Sequence, residues 1–206
     1  YYIIASSDYF NDKAIDYNVN VRKAIIDALI EKCDWPIIFL LPASAKKNDA
    51  FLKRIKSNKH ITISFFNNTP VSGFTKINHF YFNIGWGSPR QHNVLIPSIL
   101  TSINIGFKEI KILGADHSWL PQITVNDKNE VMINQKHFYD ESEARPKQMH
   151  KNSGRGNRKL HEVLQKFYYS FASYHELESY AKSKDSKIVN LTPDSYIDAF
   201  TKRHFY

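Results

Sequence analysis

What the chain lacks narrows it first. It holds a single cysteine, Cys33, in 206 residues. That excludes an internal disulfide framework and a thiolate zinc site, and it fits a reducing cytoplasm. Cys33 ends a helical pattern, where a structural role outweighs a nucleophilic one. No apolar run approaches the ~18 residues of a membrane span. There is no Walker A sequence, and no Gly-x-Gly-x-x-Gly follows a strand, so an ordinary dinucleotide enzyme is not expected. The signatures of the common nucleic-acid modules are missing, and nucleic acid is not an expected partner. No internal repeat is visible. The opening Tyr1-Tyr2-Ile3-Ile4 has no initiator Met, basic n-region or cleavage site. It reads as the middle of a strand, so an N-terminal piece is expected before it.

What is present fits one domain, or one domain with an insertion, and 42% apolar residues suffice for a sizeable core. The net charge of +8 implies anionic partners, phosphorylated metabolites or an anionic membrane surface among them.

The elements follow from periodicity and punctuation. Tyr2–Ala5 is a candidate strand. From Asp16 to Lys32 apolar residues recur at helical spacing until Trp35-Pro36. Ile37–Leu41 is an unbroken apolar run, which predicts a strand covered on both faces. A short basic helix over 48–57 and a third strand, His60–Phe66, follow. Residues 67–90 read as a long connection rich in Asn, Pro and Gly. A helix over 93–105 ends at Gly106 and leads into the apolar strand at Glu109–Leu113. Asn126–Asn129 joins Gln122–Val125 to Glu130–Ile133 as a hairpin. Beyond it, two helices are expected at about 157–172 and 173–184, then a strand at Lys187–Asn190. A last helix is expected after Thr192-Pro193-Asp194. Alternating strands and helices predict an α/β fold, a Rossmann-like, mostly parallel sheet with helices on both faces. The hairpin and the residues around it, 120–156, are expected as a lid insertion.

Three polar clusters fall at strand ends or on that lid: Asp116-His117-Ser118, His137-Phe138-Tyr139 and Asn190-Leu191-Thr192. Open parallel sheets bind ligands at the carboxyl ends of their strands. His137 is the preferred general base, because imidazole titrates near neutral pH. His117 competes with it, and Asp116 either takes part or accepts backbone N–H bonds at the strand end. Asp116, His117 and His137 are metal-ligand types without a fixed spacing, so no metal is expected. From Arg145 to Lys159 there are six cationic residues and no acid, Arg145, Arg155 and Arg158 among them. Arg forks suit diphosphate or phosphodiester oxygens, while the competing reading is a solvated charged face. Ser88 and Asn93, entering the helix at 93, form a plausible anion seat or an ordinary N-cap.

The unit from Asn93 through Gly106-Phe107-Lys108 to Leu113-Gly114-Ala115-Asp116 resembles the core of the family 42 sialyltransferases. It also resembles the related domain-of-unknown-function-115 proteins, which include an archaeal hydroxymethylpterin diphosphokinase. Val189–Ser195 looks like the final strand and turn of these families, so the resemblance covers roughly residues 85–200. Asn134–Asp140 and the Arg/Lys stretch look most like a bacterial surface-polysaccharide subgroup. The resemblance implies a metal-independent glycosyltransferase in lipopolysaccharide or O-antigen polysaccharide biosynthesis. It would move an acidic sugar from a CMP-linked or other nucleotide-sugar donor, the co-substrate, to a glycan or glycolipid acceptor. His137 would be the base and Tyr139 with the cationic stretch would hold the phosphate. Ser88, Asn93, Asn190 and Thr192 would line the nucleotide site. The expected place is the cytoplasm, at the inner face of the membrane, with peripheral contact to anionic lipid. Two departures stand out. The families' Gly-Asn-Gly-Pro-Ser-like turn is absent, and His117-Ser118-Trp119 replaces the aromatic residues usual after the Asp. The alternatives are an ATP-dependent diphosphokinase-like enzyme of the same fold and a non-catalytic module binding anionic glycan or nucleic acid.

Overall fold

The computed structural model describes residues 1–10, 19–134, 146–151 and 156–203. The fold is mixed α/β, with five α-helices and three small sheets among the described residues. The chain divides into two compact units, Tyr1–Phe107 and Lys108–Tyr206.

The first unit is built on a parallel sheet of β1 (Tyr2–Ile3), β2 (Ile37–Pro42) and β3 (Ile61–Phe66), in that order. Side chains alternate across a strand, so β2 serves two faces. Phe39 and Leu41 join Ile61 of β3, Ile26 and Cys33 of α1 (Val19–Lys32) with its exit, and Phe51 and Ile55 of α2 (Asp49–Ile55) in one buried cluster. The Asn58 amide donates to the carbonyls of Ile30 and Cys33, which the end of α1 leaves unpaired. Ile38 and Leu40 face the other way. There they line a cavity of about 530 Å³ with Phe82 of α3 (Thr75–Asn83) and Pro97 and Leu100 of α4 (Leu95–Ile105).

Helix α3 occupies part of the segment that the sequence predicts as a connection. Its flanks carry the Asn, Pro and Gly residues, but the residues between Gly73 and Gly85 contain no breaker. Asn78 and Phe82, one turn apart, give it a narrow buried face. Helix α4 ends as expected. Gly106 is left-handed at φ 102°, and the Phe107 amide donates to the Ser102 carbonyl.

In the second unit β4 (Glu109–Ile112), β8 (Lys187–Asn190) and β9 (Thr201–Lys202) form a parallel sheet in the order β4-β8-β9. Strand β4 is less buried than its apolar run suggests, because only Ile112 is fully enclosed. The hairpin forms as β5 (Ile123–Val125) and β6 (Val131–Ile133), with β7 (Lys147–Gln148) added to the edge of β6. Val131 and Ile133 pack on Val163 and Phe167 of α5 (Leu160–Ser183), so the hairpin's inner face is part of a core.

Helix α5 is one element, Leu160–Ser183, where two were expected. Phe167, Ser170, Tyr174, Leu177 and Ala181 stay buried at helical spacing through the expected break. Ser170 and Ser173 donate to the carbonyls four residues back, so the buried hydroxyls are satisfied without interrupting the helix. After β8 no helix follows Thr192-Pro193-Asp194 among the described residues. The Thr192 hydroxyl accepts from the Ala115 amide, across to the exit of β4, and so does not cap a local turn.

Candidate functional site

The exits of β4 and β8 are neighbours because those strands pair in register, Ile112 beside Asn190. Gly114 turns the chain at φ 72°, a conformation that costs other residues strain. The next residues are then fastened to the β8 exit. The Asn190 amide donates to the Ser195 hydroxyl at 2.8 Å, and its oxygen accepts from the Thr192 amide at 3.0 Å. The Ser195 hydroxyl in turn donates to the Ala115 carbonyl at 2.6 Å. The Tyr196 amide donates to the Asp116 carbonyl, and the Lys202 ammonium to the Ser195 carbonyl. Asn190, Thr192 and Ser195 are buried. Their side chains are therefore committed to holding two loops together.

The Asp116 carboxylate stays exposed. It accepts from the Ser118 hydroxyl and amide, and these bonds hold it below the usual carboxylate range against the opposing cost of burial. It is an anchor for its own turn and a fixed negative charge at the sheet edge.

His117 turns inward with φ 53° and is 8% exposed. Its Nε2 lies 2.6 Å from the Tyr174 hydroxyl, and its ring packs 4.1 Å from that of Trp119, with Phe171 beside it. Burial pushes its pKa down to about 4, with the Asp116 charge pulling the other way. The ring is neutral at pH 7, and its Nε2 is engaged in a hydrogen bond with the Tyr174 hydroxyl. It offers no lone pair to a substrate in solvent.

Arg158 leads into α5, and Lys166 sits on it. Both are half-buried. Desolvation lowers the Lys166 pKa first, and the Arg158 guanidinium lowers it further. Neither pairs with a carboxylate among the described residues. Lys151, by contrast, is neutralised by Glu162 at 2.7 Å. Lys166 follows Lys159 by seven residues, two helical turns, a spacing that could have extended the cationic stretch onto the helix.

The two residues expected before α4 belong to the first unit. Ser88 is fully buried, its backbone bonds Thr69 and Val71, and its hydroxyl accepts from Gln91. The Asn93 side-chain oxygen accepts from the Leu95 and Ile96 amides, so it caps the helix and fills the place proposed for an anion. His137, Tyr139, Arg145 and Arg155 lie outside the described residues. No protein-family model matches the chain, and no match was found among curated proteins or solved structures.

Proposed function

We propose that the chain is a glycosyltransferase that moves an acidic sugar from a CMP-linked or other nucleotide-activated donor to a hydroxyl of a surface-glycan acceptor, without a metal. The observation that carries this reading is the Arg158–Lys166 pair. The charged form of half-buried Lys166 is disfavoured by desolvation first and by the Arg158 charge second, and an anion such as a donor phosphate would relieve that cost. The edge beside Asp116 supports it, since parallel sheets present ligands there. So does the resemblance of Leu113-Gly114-Ala115-Asp116 and Val189–Ser195 to the sialyltransferase-like families.

In this mechanism His137 takes the proton of the acceptor hydroxyl, and the freed oxygen attacks the anomeric carbon. The bond from that carbon to the phosphate oxygen breaks, and the electron pair leaves on the nucleotide phosphate. Arg158 and Lys166 stabilise that charge, with Arg145, Arg155 and the Tyr139 hydroxyl. His117 is not the base, because its ring is buried against Tyr174.

The test is a transfer assay over a panel of CMP-, UDP- and GDP-sugars with a glycan acceptor, in EDTA and in Mg²⁺. Transfer should persist in EDTA. His137→Ala should lower kcat by about 10²–10⁴-fold, the usual worth of a general base. Lys166→Met should weaken kcat/KM by about tenfold or more through its lost charge-assisted bond. Near wild-type transfer by His137→Ala removes the proposed base. Pyrophosphate transfer from ATP that strictly requires Mg²⁺ replaces the whole reading with a diphosphokinase.

A further inference from the structure

The outer face of α3 is apolar where a surface helix is normally polar. Phe74, Ile77, Phe80 and Ile84 follow at intervals of three, three and four residues, which sets them in one stripe along the helix. Phe74 is 81% exposed, Phe80 59%, and Trp86 just beyond the helix 68%. The inner face is already used, with Phe82 and Asn78 buried. Trp86 is held in place by its backbone, because its amide donates to the Tyr81 carbonyl at 2.9 Å while the Gly85 amide donates to that of Phe82. The backbone at Trp86 is therefore tied to the last turn of α3. Single exposed apolar residues are ordinary, but a stripe of four with Trp86 beside it marks a docking surface.

Charge selects the occupant. Around the stripe, residues 71–92 carry Lys76 and Arg90 and no Asp or Glu. Lys76 lies beside the stripe and Arg90 follows it, both exposed. A second copy would bring two such segments together with no acid in either to relieve them. An anionic lipid surface meets both properties. Aromatic side chains settle at the headgroup boundary, and each nearby Lys or Arg gains about 1 kcal/mol from the lipid charge. We infer that the α3 face, with Trp86, docks the protein on anionic membrane. Among the described residues no helix is long and apolar enough to cross a membrane, so the contact is peripheral. The inference does not depend on the transfer reaction.

Flotation of the full chain with vesicles tests it. The protein should float with phosphatidylcholine mixed with phosphatidylglycerol, not with phosphatidylcholine alone, and should release as salt rises. Phe80→Ser with Trp86→Ser should lower the partition by about tenfold or more, from the apolar area withdrawn. Lys76→Glu with Arg90→Glu should lower it about as much. Brominated lipid should quench tryptophan emission, and Trp86→Phe should remove that quenching. Circular dichroism confirms folding, and Phe74→Ser provides an independent variant. No flotation of the wild type, or equal flotation of the stripe variants, overturns the inference. So does a wild-type dimer in sedimentation that Phe80→Ser with Trp86→Ser dissociates, because the stripe then belongs to a second copy.

Discussion

The core between β2, β3, α1 and α2 is filled with apolar side chains, whereas the exits of β4 and β8 are joined by buried Asn, Thr and Ser groups that bond one another. The first kind of packing is non-directional, and its strength follows the area taken from water. The second is directional. Each bond contributes little net free energy, but losing one partner leaves the other buried and unsatisfied. The regions should therefore respond differently to substitution. The apolar core should lose stability in proportion to volume removed, and the polar exits in proportion to partners orphaned.

The largest effect should come from the apolar core. Phe39 is fully buried on β2, with its ring 5.6 Å from that of Tyr2. Phe39→Ala should cost about 3–5 kcal/mol in urea unfolding, from lost transfer energy and the cavity left behind. Phe39→Leu keeps most of the volume and should cost under about 1.5 kcal/mol. Equal costs for the two would mean that volume is not what holds this region.

Asn190 provides the matching test at the polar exits. Asn190→Ala leaves the Thr192 amide without its acceptor and the Ser195 hydroxyl without a donor. The expected cost is about 2–3 kcal/mol, although little volume is removed. Because Ser195 shares the network, Asn190→Ala and Ser195→Ala should be non-additive, by on the order of 1 kcal/mol in a double-mutant cycle. Strict additivity would dissolve the contrast between the regions.

The same contrast decides what could be read from the sequence. Apolar alternation and helical spacing announced β2, β3, α1 and α4, because those patterns are the packing itself. Gly106 announced the end of α4 for a similar reason, since its left-handed backbone follows from the missing Cβ. Helix α3 was hidden by the loop-forming residues at both of its ends. The break expected within α5 had no breaker behind it, and the buried face runs through Ser173 and Tyr174. Polar residues carry no such pattern. Asn190, Thr192 and Ser88 resemble ligand-binding groups in sequence, yet they bond the chain itself, and only tertiary structure separates the two cases. Lys166 is the reverse. It reads as a solvated helix position, and the fold half-buries it and exposes it to the charge of Arg158.

His117 should show the smallest effect and the most specific one. Its folded pKa of about 4 lies below the usual 6.5. As pH falls from 6.5 the unfolded chain takes up the proton while the buried ring does not, so unfolding is favoured. Stability from this group is complete above about pH 6.5, declines through the window down to 4, and changes no further once both states are protonated. At about 1.4 kcal/mol per pH unit, the loss between pH 6.5 and 5 is about 2 kcal/mol. His117→Asn removes the titration, and Asn tolerates the left-handed φ. The difference in stability between wild type and variant should therefore shrink as pH falls from 7 to 5. Asp116 does not blur this window, because its lowered pKa places its own loss at more acidic pH. A difference independent of pH would mean that the folded ring takes up its proton as readily as the unfolded one, which requires it to reach water. His117 would then regain the role of base that its packing against Trp119 and Tyr174 denies it.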